Sequence, residues 1–228
     1  MAVKPRPVAQ SLFPELKADQ PFGPIPESVQ TGSNAELIAA VAELYLDGAE
    51  SVLDVTFGRG KWWERYRPEH FRGHDLATDG VDFTALPYED DSWDVVVFDP
   101  PYIATGSPTN TLAEATRAHR ERYGTDGYRS VPALDALIRA GLGECCRVAR
   151  QQVICKCMDF VAGPELVMGH VKVLAWAAEL GWACHDLVVH WTGTGPGGHN
   201  IWTPIRTRRA HSYLLVLRPA KQRRRKAA

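Results

Sequence analysis

Val95-Val96-Val97-Phe98 runs straight into Asp99-Pro100-Pro101-Tyr102, so four apolar residues end abruptly in an acid, two prolines and an aromatic ring. A short unbroken apolar run reads as a strand covered on both faces, as in parallel sheets. Pro100 and Pro101 give no N–H to a ladder and fix φ, which stiffens the turn. The groups on offer are one carboxylate and the turn's peptide carbonyls, all hydrogen-bond acceptors, beside one flat ring. In open α/β sheets ligands bind at the carboxyl ends of strands.

A second set of chemistry-bearing residues lies upstream. Ser51-Val52-Leu53-Asp54-Val55 reads as a strand, Thr56-Phe57-Gly58-Arg59-Gly60 as a glycine turn, and Lys61-Trp62-Trp63-Glu64-Arg65-Tyr66 as a helical segment. Strand, glycine turn and helix together bring backbone close to a nucleotide-like ligand. The turn is not GxGxxG and no GK[ST] follows, so neither a dinucleotide nor a P-loop triphosphate is favoured. Asp54 is placed to take a cationic or amino-bearing ligand, or to cap a tight turn. Phe71-Arg72-Gly73-His74-Asp75 is a second strand ending in an acid, at the distance where acids bind ribose hydroxyls. Gly80 to Tyr88 is a third, shorter extended piece with Asp82 at its edge, and Asp91-Ser92-Trp93-Asp94 turns into the central strand.

Leu53-Asp54-Val55-Thr56-Phe57-Gly58-Arg59-Gly60, the acids Asp75 and Asp82, and Asp99-Pro100-Pro101-Tyr102 together resemble the class I S-adenosylmethionine-dependent methyltransferases. More narrowly, they resemble the amino-methyltransferases of adenine N6 or cytosine N4 in DNA, small phage-type enzymes among them. The resemblance covers roughly residues 31–218, and its specific part is the Asp-Pro-Pro-Tyr element at this distance after a glycine turn. It implies a Rossmann-like, doubly wound, mainly parallel seven-stranded α/β sheet closed by a terminal antiparallel hairpin. It also implies S-adenosylmethionine as cofactor, wrapped by Phe57, Gly58 and Gly60, with Asp54 near its amino-acid part and Thr56 and Asp99 among its contacts. Thr31 in Thr31-Gly32-Ser33 would touch the methionine end, Asp75 the ribose, and Asp82 with Phe83 the adenine edge. Such enzymes often read Asp-Pro-Phe-x-Gly-Ser-Gly at the turn. Here Arg59 stands where a small residue is common.

The implied chemistry can also be reasoned directly. An exocyclic base amine is a poor nucleophile because its lone pair is delocalised into the ring. If Asp99 and the carbonyl of Pro100 accept both N–H groups, the nitrogen turns tetrahedral and its lone pair is freed. Alignment supplies the rest, about 7–11 kcal/mol for a near-attack geometry. Pro101 stiffens the turn and Tyr102 stacks on a base that has left its duplex, a contact worth about 1–3 kcal/mol.

These groups need elements to hold them. Residues 1–30 form an irregular arm, with six prolines before Ser33. Ser33-Asn34-Ala35-Glu36 is a capping box, and Leu37, Ile38, Val41, Leu44 and Tyr45 continue at helical spacing until Gly48. Leu134, Leu137, Ile138, Leu142 and Cys145 make the next helix, leading to the strand Gln152-Val153-Ile154-Cys155-Lys156-Cys157. Lys156 there reads as an edge charge or as a substrate-facing one, the edge charge being the simpler. Pro164 opens another helix through Val167, Val171, Leu174 and Ala178. Strands near Asp186–Trp191 and His211–Leu217 end the domain, and residues 219–228 are a basic disordered tail.

Two stretches suit nucleic acid. Residues 103–131 are long and polar, with Arg117, Arg120, Arg122 and Tyr123, and read as a substrate-gripping loop or as a solvated helix. Residues 192–211 join a glycine-rich loop to Arg206, Arg208 and Arg209, and read as a nucleic-acid-contacting hairpin or a loose turn. The net charge of -1 hides an asymmetry: after Asp186 there is no acid, and nine Arg or Lys residues follow. Such a split suggests a polyanionic partner, DNA before RNA, although a solvated tail that aids solubility is the plain alternative. No segment is large enough for a separate recognition domain, so a homodimer or a specificity partner is a further source of sequence recognition.

At 228 residues and 45% hydrophobic content the chain can bury a full core as one domain with extensions. No stretch is apolar enough to span a membrane and Met1-Ala-Val-Lys-Pro does not resemble a signal peptide, so a cytoplasmic location is expected. Five cysteines without CxxC spacing suggest reduced core thiols and no metal site. A catalytically silent binding module of the same fold is the alternative from another class. The intact Asp99 to Tyr102 element speaks against it.

Overall fold

The computed structural model describes residues 25–102, 130–162, 165–191, 207 and 209–220. Its elements are β1 (Val29–Thr31), α1 (Asn34–Tyr45), β2 (Val52–Asp54), a single 3-10 turn (Lys61–Trp63), β3 (Phe71–Gly73), β4 (Trp93–Phe98), α2 (Val131–Val148), β5 (Ala149–Cys157), β6 (Phe160–Ala162), β7 (Glu165–Val167), α3 (Gly169–Glu179), β8 (Trp182–Trp191) and β9 (His211–Pro219). Seven strands form one sheet in the order β1-β8-β9-β5-β4-β2-β3, and β6 with β7 is a separate hairpin. The run from β3 through β2 and β4 to β5 is parallel, β1 is parallel to β8, and β9 is antiparallel to both β5 and β8. The expected architecture, a mainly parallel seven-stranded sheet with an antiparallel hairpin, is present.

The period-2 alternation of strands explains the apolar run in β4. Val95 and Val97 face α1, where they pack with Leu37, Ile38, Val41, Ile154 and Leu214. Val96 and Phe98 face the other way, into a core built from Leu134, Ile138 and Leu142 of α2 and Val173 and Ala177 of α3. Both faces are covered, so every residue from Asp94 to Phe98 is buried. The capping box fixes where α1 starts: the Ser33 hydroxyl accepts the Glu36 N–H at 3.2 Å, and the Glu36 carboxylate accepts the Ser33 N–H at 2.7 Å. All five cysteines are free and four are buried, as expected of core thiols. No helix among the described residues is long and apolar enough to cross a membrane.

The structure departs from the sequence reading in five places. Residues 80–88 form no strand, because Asp82 Oδ1 folds back onto the N–H and hydroxyl of Thr84 at 2.8 Å each, an Asx turn that leaves no extended backbone. The sheet reaches seven strands by recruiting β1, part of which fell within the expected arm. Lys61 to Tyr66 gives one 3-10 turn and no α-helix, with Pro68 disfavouring helix in the residue before it. The helix expected from Pro164 begins at Gly169, and Val167 belongs to the β6–β7 hairpin. Only glycine fits that start, since a Cβ there would lie 2.3 Å from the Met158 carbonyl oxygen. Finally, β8 begins at Trp182, its alternation obscured by a register shift between Cys184 and Asp186.

Candidate active site

Asp54 ends β2 and Asp99 follows β4, and these strands are neighbours. From β2 the chain goes on to β3 on one side, and from β4 to β5 on the other, so strand order reverses between the two acids. That is where open α/β sheets bind ligands. Thr56 ties the acids together: its hydroxyl accepts the Asp99 N–H at 2.7 Å and donates to Asp54 Oδ1 at 3.3 Å. Pro100 and Pro101 are buried and Asp99 and Tyr102 are half-buried, Asp99 Oδ1 being buried itself, so the turn is seated in protein at the carboxyl end of the sheet.

Asp54 itself is sealed in, 3% exposed. Its oxygens accept the Thr56 N–H at 2.8 Å and the Trp63 indole N–H at 2.7 Å. Burial pushes its carboxyl up to about 7 against these donors, and the charge of Asp99 adds to the rise. Contact with a ligand's amino group, the expected role, does not suit a carboxylate whose donors come from the protein. Asp54 instead anchors the glycine loop and the 3-10 turn. Gly58 and Gly60 take φ of 53° and 69°, left-handed values that other residues adopt at a cost.

Asp75 faces that loop. Its Oδ2 accepts the Gly58 N–H at 3.2 Å and its Oδ1 the Ala77 N–H at 2.9 Å, leaving further lone pairs on a half-buried carboxylate. Such acceptors beside a glycine loop fit a diol, so the residues present suit a ribose-bearing cofactor. The Phe57 ring packs downward, 5.7 Å from Phe71, and leaves no room for a Cβ at Gly73. Its body thus supports the loop, where a direct wrap around the cofactor was expected. Asp82 is exposed and bonded within its own turn, while the Phe83 ring lies 5.2 Å from Phe98 on the α2 side. Thr31 is exposed at the end of β1, opposite Trp191.

The residue that sequence reasoning misplaced is Lys156. β5 lies between β4 and β9, an interior strand, so Lys156 is no edge charge. It is 3% exposed, with its Nζ donating to Asn34 Oδ1 at the start of α1 and lying 5.4 Å from the Trp62 ring centroid. Because Phe98 pairs with Cys155, the next position along the parallel register sets Lys156 beside Asp99. Burial pulls the ammonium's titration down, and the Asp99 charge pulls it back up. His190 lies on the same face, fully buried, its Nε2–H donating to the Gly32 carbonyl at 2.9 Å. Burial and then the Lys156 charge favour its neutral form. His190 Nδ1 and its cross-strand neighbour Ser212 Oγ are buried without hydrogen-bond partners. The available signal was a lysine flanked by cysteines after the apolar run Val153-Ile154.

Arg209 is described, donating to Thr207 at 3.0 Å. Arg117, Arg120, Arg122, Tyr123, Arg206 and Arg208, with most of the two expected nucleic-acid loops and the basic tail beyond Ala220, lie outside the described residues. Among the described residues no cluster of His, Cys, Asp and Glu could hold a metal ion.

No protein-family model and no curated protein matches the chain. Solved structures do. A candidate DNA modification methylase of Thermus thermophilus, complexed with S-adenosyl-L-methionine, is similar at 14% identity and a TM-score of 0.40, over 78% of this chain and 59% of that one. This chain therefore spans about three fifths of that methylase. A candidate RNA methyltransferase of Pyrococcus horikoshii is similar at 12% identity and 0.46, over 82% and 83%. A candidate methyltransferase of Bacillus halodurans is similar at 11% identity and 0.46, over 80% and 98%. At these identities and scores the matches assign no activity to this chain.

Proposed function

We propose that this chain transfers a methyl group from S-adenosylmethionine to the exocyclic amine of a nucleic-acid base, with adenine N6 in DNA preferred over cytosine N4. The observation that carries the reading is the hydrogen bond from the Asp99 N–H to Thr56, which joins the Asp-Pro-Pro-Tyr turn to the glycine loop at the point where strand order reverses. A cofactor held by the loop and an amine held by the turn are then neighbours.

The cofactor supplies an electrophilic methyl group on a sulfonium. Gly58, Gly60 and Asp75 bind its nucleoside part, and Thr31 lies on the methionine side. Asp82 and the Phe83 edge flank its adenine. Asp99 and the Pro100 carbonyl accept the amine's two N–H groups. The amine nitrogen forms its bond to the methyl carbon as the carbon–sulfur bond breaks, the electron pair passing to sulfur, and the displaced proton leaves to Asp99 or water. Tyr102 stacks on the extruded base. Arg117, Arg120, Arg122, Tyr123, Arg206, Arg208 and Arg209 supply phosphate contacts, with a homodimer or a partner subunit adding sequence recognition.

The test is methyl transfer from labelled S-adenosylmethionine to unmethylated genomic DNA and to bulk RNA in parallel, with digestion to nucleosides and mass spectrometry. Methylated adenine or cytosine in DNA supports the reading. Label in RNA alone moves the same chemistry to an RNA base, and label in neither overturns it.

A further inference from the structure

Lysine is a costly residue to bury, and a buried ion pair is often no better for stability than well-packed apolar residues of similar volume. The fold nevertheless buries Lys156 and arranges three elements around it: Asn34 at the start of α1 accepts from its Nζ, Trp62 of the 3-10 turn roofs it, and β4 places Asp99 next in register. Stability does not call for such an arrangement. The neighbouring carboxylate does.

We propose that Lys156 is a positioning residue for Asp99, its ammonium keeping the Asp99 carboxylate charged and aimed at the substrate amine. The inference rests on the amine-methylation reading and names the group that sets its acceptor. A protonated Asp99 would offer one O–H in place of an acceptor and would lose its hold on an N–H.

Among the described residues the charged groups around the pair are these. From β2 comes Asp54, a like charge that by itself favours protonation at this pair. From β8 comes His190, held neutral. The Cys155 and Cys157 thiols on β5 are pushed up by burial and stay protonated. α1 presents the uncharged Asn34, while Glu36 is engaged by Ser33 and by Arg65 at 3.0 Å. β9 presents Ser212 and Leu214, and in the 3-10 turn Lys61 is paired with Glu64 at 2.6 Å. Lys156 is thus the one buried cation among the described residues set against two carboxylates.

The experiment is a carbon-13 titration of aspartate-labelled full-length protein, with the Asp99 signal identified by its loss in Asp99→Asn. In Lys156→Met the Asp99 midpoint should rise by about 1–3 pH units, the span an adjacent opposite charge usually accounts for. Lys156→Arg should hold it down, a rescue that depends on charge and that a merely structural lysine would not show. The acidic limb of the methyl-transfer profile should move upward with the titration. An unchanged Asp99 midpoint in folded Lys156→Met overturns the proposal. If that variant fails to fold, Asn34→Ala decides in its place: a raised midpoint supports the proposal and an unmoved one overturns it. A wild-type chain that methylates no nucleic acid refutes the amine-methylation reading by itself, and the carboxyl titration still decides the role of Lys156.

Discussion

The Thr56 hydroxyl accepts the Asp99 backbone N–H at 2.7 Å while donating to the Asp54 carboxylate, so the two strand-end acids are linked through one side chain. On the proposed reading, a glycine loop and an Asp-Pro-Pro-Tyr turn that moved independently could not keep a methyl donor and an amine in line. The hydroxyl makes them one body.

Thr56→Val keeps the shape and removes the link. The Asp99 N–H then lacks its acceptor, a loss of about 1–3 kcal/mol for a partly buried donor. Methyl transfer should fall about tenfold or more, since each ~1.4 kcal/mol in the barrier is a factor of ten. Thr56→Ser should retain most activity. Steady-state kinetics of the two variants check this, and equal rates for Val and Ser would show that the hydroxyl is idle.

The Asp54 carboxyl, raised to about 7, gives a pH dependence of known sign. The folded state binds this proton more tightly than the unfolded chain, whose carboxyl titrates near 4. Its favourable effect is therefore full below about pH 4 and disappears as pH rises through about 7, up to about 4 kcal/mol in all. His190 acts in the opposite sense, because its depressed titration withdraws stability as pH falls through the histidine range. The difference between wild type and Asp54→Asn isolates the first effect. From pH 5 to pH 7.5 the urea midpoint of the wild type should fall relative to that of the variant, and parallel pH dependence in both would refute the assignment.

How much of this was readable from the chain depends on whether the signal was local. The β4 run, the Asp-Pro-Pro-Tyr turn, the capping box at Ser33 and the glycine turn are all local signals, and all lie at their expected positions. The neighbourhood of Lys156 is not local: Asn34, Trp62 and Asp99 come from three distant segments, and only the sheet order makes β5 an interior strand. β1 is three residues long with no usable period, and it is a strand only because β8 lies beside it. The bulge at Cys184 hid four residues of β8 in the same way, since a register shift breaks the alternation that a reader counts.

Residues 80–88 illustrate substitution of one kind of bonding for another. With no ladder there, Arg147 donates to the carbonyls of Leu86 at 3.1 Å and Tyr88 at 2.7 Å, and Glu144 accepts the Leu86 N–H at 2.8 Å. The guanidinium fork holds this edge of the sheet against α2. Arg147→Met should cost about 1–3 kcal/mol, the range for hydrogen bonds to charged groups. Arg147→Lys should recover little of it, because an ammonium cannot present donors in the same plane. Chemical denaturation reads both, and full recovery by lysine would show that charge alone matters.

Asp75 separates cofactor binding from folding. Its carboxylate is half-buried and, among the described residues, accepts two backbone N–H groups, from Gly58 at 3.2 Å and Ala77 at 2.9 Å, so lone pairs remain for a diol. In Asp75→Asn one oxygen survives for a loop N–H, while the other becomes an NH2 that cannot accept from a hydroxyl. The fold should tolerate this, because the site is at the surface and β3 ends before it. Affinity for S-adenosylmethionine should fall about 10–100-fold, the loss of one or two charge-assisted hydrogen bonds at about 1.5–3 kcal/mol each with partial replacement by water. Isothermal titration calorimetry gives the dissociation constant and a thermal melt without cofactor gives the control. Weaker binding with an unchanged melt places Asp75 at the cofactor, whereas a lowered melt with unchanged binding would make it a brace for the glycine loop alone.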